Sequence, residues 1–101
     1  MTLRVHPAAE AELTAAAQWY EVRRSGLGER FLVEAADAFA AIERQPRRFA
    51  TARYRTTREI RKRLLEHFPY SIIYEIKANE CLIVAVSHAG RRPVYWRQRV
   101  K

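Results

Sequence analysis

The chain has 101 residues, 49% of them hydrophobic, which predicts a single domain spanning residues 1–101 with one modest core. No apolar run approaches the roughly 20 residues of a membrane span, and the first residues lack the order of a signal peptide. We therefore expect a cytoplasmic protein without a membrane partner. The formal net charge of +8 is concentrated in residues 44–63, with nine basic side chains against one acid, and in residues 91–101, with five and none. Such blocks predict a surface that attracts phosphates or carboxylate-rich partners.

The N-terminal part of the chain predicts a short edge strand followed by two helices. Residues 2–6 alternate as a strand does, and Pro7 begins a helix that should end near Arg24. Residues 25–28 predict a tight connection to a second helix that ends before Pro46. The apolar stripes are Ala9, Leu13, Ala16, Ala17 and Tyr20 on the first helix, and Phe31, Ala35, Ala38, Phe39 and Ile42 on the second. The short connection favours an antiparallel helical hairpin.

The remainder of the chain predicts a loop and three strands. Residues 46–58 have no clear period, whereas residues 60–65 alternate and place basic groups on both faces of a strand. Residues 70–76 predict a half-buried strand, and residues 82–86 are apolar on both faces, as in a central strand. The lone Cys81 beside that strand predicts a buried thiol. The order βααβββ predicts an α+β fold, with a small antiparallel sheet packed against an N-terminal helical hairpin.

Several short motifs occur together along the chain. They are Trp19-Tyr20, Gly26-Leu27-Gly28-x-x-Phe31, Pro46-x-x-Phe49, Phe68-Pro69-Tyr70-x-Ile72-x-Tyr74 and Ala85-Val86-x-His88-x-x-Arg91-x-Pro93-x-x-Trp96. In this order, from about Leu3 to Arg99, the chain resembles the RelE/ParE superfamily of toxins of bacterial type II toxin–antitoxin (plasmid stabilisation) systems. The resemblance implies the same sheet and hairpin, and a cognate antitoxin that holds the toxin inactive.

The resemblance also implies alternative targets. ParE-like members poison DNA gyrase, whereas RelE-like members cut mRNA in the ribosomal A site. The pattern His88-x-x-Arg91-x-Pro93 is nearer to ParE-like members, so we expect growth inhibition through gyrase, with a ribosome-dependent mRNA endoribonuclease as the alternative. A third alternative is a degenerate member that binds only its antitoxin and DNA. Operator DNA is expected as a partner only through the complex with the antitoxin.

Catalytic residues are expected only if the chain is RelE-like. Cleavage without a metal needs groups that transfer protons and cations that stabilise the phosphorane. The sequence offers His67, His88 or Tyr95 as proton carriers. By position, the resemblance implies Arg61 and Arg63 as strand cations, and Arg91 or Arg92 with Tyr95 as a C-terminal pair. Arginine stays protonated and is a poor base, and we expect no acidic residue beside these groups, so the sequence does not by itself predict cleavage. The alternatives are antitoxin-binding or solvated arginines and a structural His88.

Binding of a nucleic acid or another target is predicted for a second set of side chains in the two basic blocks. The set is Arg53, Arg55, Arg58, Lys62, Arg63, Arg92, Trp96 and Arg97. Trp96 lies between basic pairs and is placed to stack on a base, with packing against the sheet as the alternative. His6 is expected to cap the first helix. The histidines and Cys81 lack ligand spacing, so the sequence predicts neither a metal site nor a cofactor.

Overall fold

Two helices and four strands form the fold in the computed structural model, which describes residues 1–52 and 56–100. They are β1 (Thr2–Val5), α1 (Pro7–Arg23), α2 (Leu27–Arg44), β2 (Glu59–Leu64), β3 (Tyr70–Lys77) and β4 (Glu80–His88), followed by a 3₁₀ helix (Arg97–Val100). The predicted order and the α+β class are confirmed. Among the described residues, no helix is long and apolar enough to cross a membrane.

The four strands form one sheet in the order β1-β4-β3-β2. The edge position of β1 and the central position of β4 agree with the sequence. One pairing differs from the expected antiparallel sheet, because β1 runs parallel to β4. The reason is the path of the chain. After β1, the two helices and the following loop bring the chain back to the end of the sheet where β1 began, so β2 runs parallel to β1. Two successive hairpins then reverse the direction twice, and β4 again runs parallel to β1.

The larger core lies between the helical hairpin and one face of the sheet. Both predicted stripes point into it, with alanines on α1 that allow a close approach to the sheet and Phe31 and Ile42 fully buried on α2. The ring of Phe31 meets those of Phe68 and Tyr70, each with a centroid distance of 5.1 Å. Cys81 is fully buried, as predicted. His6 caps α1 by accepting a hydrogen bond from the Ala8 N–H at 3.0 Å, which is also confirmed.

A second, smaller core lies on the opposite face of the sheet. The C-terminal segment (residues 91–100) crosses this face and buries Trp96, which is only 4% exposed, and Val100. The packing alternative for Trp96 is therefore the one observed, and its ring does not offer a face to a nucleobase. A β-bulge lies beneath the segment: Ile73 pairs with Ala85 and Tyr74 with Ile83, which leaves Val84 as an extra residue.

The hairpin connection is shorter than the sequence suggested, because α2 already begins at Leu27. Gly26 adopts a φ of +87°, which favours glycine, and it caps the N-terminus of α2. Gly28 lies inside α2 and is buried where the two helices approach most closely. A Cβ atom on Gly28 would collide with the backbone carbonyl oxygen of Ala17. This glycine is therefore required by helix packing.

We expect Gly28→Ala to destabilise the protein by about 1–3 kcal/mol, because overpacking outweighs the gain in helix propensity. Urea denaturation measures the effect. Arg30→Ala, at an exposed position on the same turn, is the control and should change the free energy of unfolding by less than about 0.5 kcal/mol. A Gly28→Ala variant as stable as the wild type would show that the two helices can move apart without cost.

Candidate functional site

The C-terminal segment is held to α1 by one carboxylate. Glu12 accepts hydrogen bonds from the Tyr95 hydroxyl at 2.7 Å and from two nitrogens of the Arg99 guanidinium at 3.0 and 3.1 Å. These three side chains, the Glu12 cluster, join the first helix to the last turn of the chain. Bidentate pairing of arginine with a carboxylate fixes direction as well as distance.

The Glu12 cluster also satisfies the backbone at the bulge. The pairing of β1 with β4 ends at Val5 and Ile83, so the next part of the β4 edge has no strand beside it. There the Val86 N–H donates to Glu12 at 3.0 Å, and the Val84 carbonyl accepts from Arg99 at 3.0 Å. Buried backbone groups without partners are costly. The cluster therefore completes the edge that β1 leaves unpaired.

The Glu12 cluster determines the protonation of its other members. Burial raises the pKa of Tyr95 to about 12, and the hydrogen bond to Glu12 acts in the same direction. The hydrogen bond to Glu12 likewise raises the pKa of Arg99. The raised pKa agrees with the role of the Tyr95 hydroxyl as a hydrogen-bond donor to Glu12.

Two further contacts fix the turn that leads into Tyr95. The Arg91 guanidinium carbon lies 3.9 Å from the centroid of the Tyr95 ring, and that of Arg99 lies 5.2 Å from it. Val94 has a φ of +57°, which is unusual for a β-branched residue and costs about 1–3 kcal/mol. Such strain persists only where the surrounding contacts determine the conformation, so the turn is held in a single shape.

The structure brings together three of the four predicted catalytic residues. His88 and Arg91 line a cleft of about 560 Å³ between α1 and the ends of β3 and β4, and Arg91 contacts Tyr95. The His88 Nδ1 accepts a hydrogen bond from the Gly90 N–H at 2.9 Å. Arg61 on β2 lies two strands away from His88 on β4 and is displaced from it by four residues along the strands. The strand spacings then place their Cα atoms about 16 Å apart. The strand cation and the C-terminal groups therefore do not form one cluster.

The first basic block has acidic partners, and the expectation that no acid accompanies these cations was wrong. Glu59 binds both Arg47 at 2.9 Å and Arg61 at 3.0 Å, and these hydrogen bonds lower its pKa. Arg61 also donates to the Phe49 carbonyl at 2.7 Å. The buried Glu75 pairs with Arg58 at 2.9 Å. Of the nine basic side chains in this block, three thus form ion pairs with two acids among the described residues.

The other predicted binding residues of the first block have different surroundings. Lys62 and Arg63 point to opposite faces of β2, and Arg63 lies over the ring of Phe49 at 4.9 Å. Arg53 and Arg55 lie outside the described residues. The block is therefore a mixture of paired and unpaired cations.

The C-terminal block is different. Arg91, Arg92 and Arg97 are exposed, and none forms an ion pair with a residue in the described ranges 1–52 and 56–100. We call these three the unpaired arginines. Within the described part of this block, Arg99 is the member that forms an ion pair, with Glu12. Exposed arginines without an ion pair among the described residues therefore occur in both blocks, since Arg44 and Arg48 of the first block share this property.

Two acids that organise the structure escaped the sequence analysis. Glu12 lies three residues after Ala9 and four before Ala16, so it belongs to the buried stripe of α1. Glu34 occupies the same kind of position between Phe31 and Ala38 on α2. A carboxylate on a buried stripe needs partners, and that spacing was the available signal.

Glu34 holds the loop between β2 and β3. It accepts hydrogen bonds from the backbone N–H groups of Glu66 and His67, and pairs with the His67 Nδ1 at 2.8 Å. These groups border a second cleft of about 500 Å³ beside α2. Burial opposes ionisation of Glu34, but the hydrogen bonds from His67 and Glu66 outweigh it and lower its pKa. Across the described residues, no three acidic, histidine or cysteine side chains are grouped as metal ligands would be.

Comparison with known proteins defines the class. The fold is similar to that of a solved structure described as the chromosomal ParDE TA system from P. aeruginosa, with a TM-score of 0.69 and 21% identity, covering 87% of this chain and 95% of that one. No curated protein sequence matches the chain. The family model "ParE toxin of type II toxin-antitoxin system, parDE" matches residues 3–93. The chain therefore belongs to this family and is a type II toxin, which confirms the RelE/ParE resemblance.

We expect Glu34→Gln to lower stability at neutral pH. Because the folded-state pKa of Glu34 is below its usual value, its stabilising contribution is present above about pH 4.3 and is lost as the pH falls through the folded-state pKa. Urea midpoints at pH 7 and about pH 3 should therefore show a gap between variant and wild type that narrows in acid. Asp37→Asn, an exposed change on the same helix, should show no such gap. A gap that is independent of pH would contradict this role of ionised Glu34.

Proposed function

We propose that this toxin inhibits growth by binding DNA gyrase in the cytoplasm, and that a cognate antitoxin neutralises it. The family match to ParE toxins carries the proposal. Within the RelE/ParE superfamily, the ParE-like members are the ones expected to act on gyrase. The protein then works by binding a macromolecular target and needs no catalytic group of its own.

The geometry of the predicted catalytic groups supports binding over mRNA cleavage. A nuclease of this kind would need a proton carrier and a cation at one phosphate. The Tyr95 hydroxyl already donates to Glu12, and its pKa is about 12. Arg61 is engaged by Glu59 and the Phe49 carbonyl. Two of the four predicted catalytic groups, Tyr95 and Arg61, are thus engaged by other side chains or backbone, whereas His88 and Arg91 line the cleft beside α1.

The helical hairpin is the surface best suited to the antitoxin. Stable protein interfaces need an apolar centre with charged residues around it. Both helices expose large apolar side chains, with Trp19 and Val22 on α1 and Leu32 and Val33 on α2; Val22 is 83% exposed. Arg23, which stacks on Trp19 at 3.4 Å, adds positive charge beside them. An antitoxin helix with apolar and acidic side chains would match both features.

The gyrase proposal predicts trapped DNA breaks. Purified toxin, gyrase and supercoiled plasmid should yield linear DNA after protein digestion, because the toxin stabilises the cleaved complex. The reaction without gyrase and the reaction with antitoxin added first are the controls. In cells, primer extension on mRNA should show no new 5′ ends during growth arrest. New ends that disappear when translation is blocked would instead establish the ribosome-dependent nuclease, and Arg91→Ala with Tyr95→Phe would then test its site.

The antitoxin proposal predicts an affinity that depends on both charge and apolar contact. We expect Val22→Glu to weaken antitoxin binding by about tenfold or more, since it places a carboxylate in the apolar centre. Binding of the wild type should also weaken as salt rises, because the surrounding arginines are exposed. Isothermal titration calorimetry measures both effects. Thr14→Glu, at an exposed position two turns earlier on α1, is the control. Equal losses of affinity for the two variants would place the antitoxin elsewhere.

A further inference from the structure

The C-terminal surface is cationic without being apolar. Arg91, Arg92 and Arg97 are exposed and have no acidic partner among the described residues. The large apolar side chains that the described residues expose all lie outside residues 91–100, although one of them, Trp19, lines the cleft that Arg91 also borders: they are Met1, Trp19, Val22, Leu32, Val33 and Leu64. Trp96 and Val100 of the same segment are buried. Residues 91–100 by themselves therefore do not provide the apolar centre of a protein interface.

The side chains of the C-terminal segment also indicate which kind of anionic partner it can bind. Binding of single-stranded nucleic acid uses exposed aromatic rings on which bases stack. The segment offers none, because Trp96 is buried and the Tyr95 ring is covered by Arg91 and Arg99. What remains is a set of guanidinium groups, which bind phosphate oxygens well and bases poorly in the absence of groove contacts.

We propose that the unpaired arginines bind the phosphodiester backbone of duplex DNA, and that Glu12 is the residue that positions them. Glu12 does not touch the DNA. It fastens Tyr95 and Arg99, and Tyr95 in turn supports Arg91 at 3.9 Å. The strained Val94 and the buried Trp96 complete the fixed turn. Side chains held in place before binding lose less conformational freedom when they bind, so fixing the turn raises affinity.

The biological role of this DNA contact rests on the proposed function, the binding of gyrase. A toxin bound to gyrase would use the unpaired arginines to hold the DNA segment that gyrase has bound. The interaction is with the backbone and reads no sequence, so it differs from recognition of an operator through the antitoxin. Binding of the purified toxin to DNA is measured without gyrase, which keeps the two proposals separable.

The first experiment compares variants of equal charge. Fluorescence anisotropy with a labelled 20-base-pair duplex of mixed sequence should show binding by the wild type that weakens steeply with salt. We expect Arg92→Ala with Arg97→Ala to reduce the slope of log affinity against log salt by about 2, one for each phosphate that the variant no longer neutralises. Arg30→Ala with Arg44→Ala removes the same charge from exposed positions on α2 and should leave the slope unchanged. Equal effects of the two double variants would overturn the proposal, since binding would then follow net charge alone.

The second experiment tests the positioning role of Glu12. Glu12→Gln removes one negative charge and so raises the net charge of the protein by one. A purely electrostatic effect would therefore strengthen binding to DNA. We expect weaker binding instead, with faster amide hydrogen exchange in residues 91–100 and little change elsewhere. Equal or tighter binding by a variant whose segment exchanges faster would show that positioning is unimportant. If Glu12→Gln fails to fold, Tyr95→Phe, which removes one hydrogen bond to Glu12, should give the same direction of change.

The remaining outcomes also decide between the proposals. If the wild type does not bind the duplex at low salt while it still traps gyrase breaks, the DNA proposal is wrong and the gyrase proposal stands. If DNA binding is confirmed and no gyrase breaks are trapped, the arginine surface is real but serves another target. Stronger binding of poly-glutamate than of the duplex, abolished in Arg92→Ala with Arg97→Ala, would assign this surface to an acidic protein instead.

Discussion

The packing of structure on both faces of the sheet depends on the hydrogen bonds of the Glu12 carboxylate. This carboxylate lies on the first helix, yet it binds the hydroxyl of Tyr95, the guanidinium of Arg99 and a backbone N–H of β4. Its loss would leave several partly buried polar groups without partners, each at a cost of about 1–3 kcal/mol. Because the cluster fastens the last residues of the chain, it also keeps Trp96 on the second face of the sheet. A helix position thereby stabilises a core that the helix does not touch.

The bulge in β4 explains why this carboxylate is needed. An extra residue at Val84 turns backbone groups toward an edge that β1 is too short to cover. A longer β1 would supply strand hydrogen bonds there and would leave no space for Arg99. The end of the short edge strand, the bulge and the C-terminal segment thus meet at one edge of the sheet. Together they place a rigid cationic turn at the end of the sheet.

The two basic blocks of the sequence have different physical roles. The first contains more cations, and three of those that the structure describes form ion pairs with Glu59 and the buried Glu75, which connect β2 with its neighbours. The second contains fewer, and three of them form no ion pair among the described residues, as is also true of Arg44 and Arg48 in the first. The helical hairpin, in contrast, carries exposed apolar side chains. The exposed apolar side chains of the hairpin and the unpaired arginines therefore lie on different elements of the fold.

The sequence by itself determined the helices, the strands, the burial of Cys81 and the family, because these follow from local periodicity and from motifs along the chain. It also located the basic blocks. Only the tertiary structure decided that β1 runs parallel to β4, since strand direction depends on the path of the whole chain. The structure likewise decided which arginines are unpaired. Glu12 and Arg99 are 87 residues apart, and no local pattern indicates that one neutralises the other. Glu12 lies on a buried stripe and Arg99 follows a buried tryptophan, so each charged group needs a partner. Only the packing of the whole chain identifies that partner.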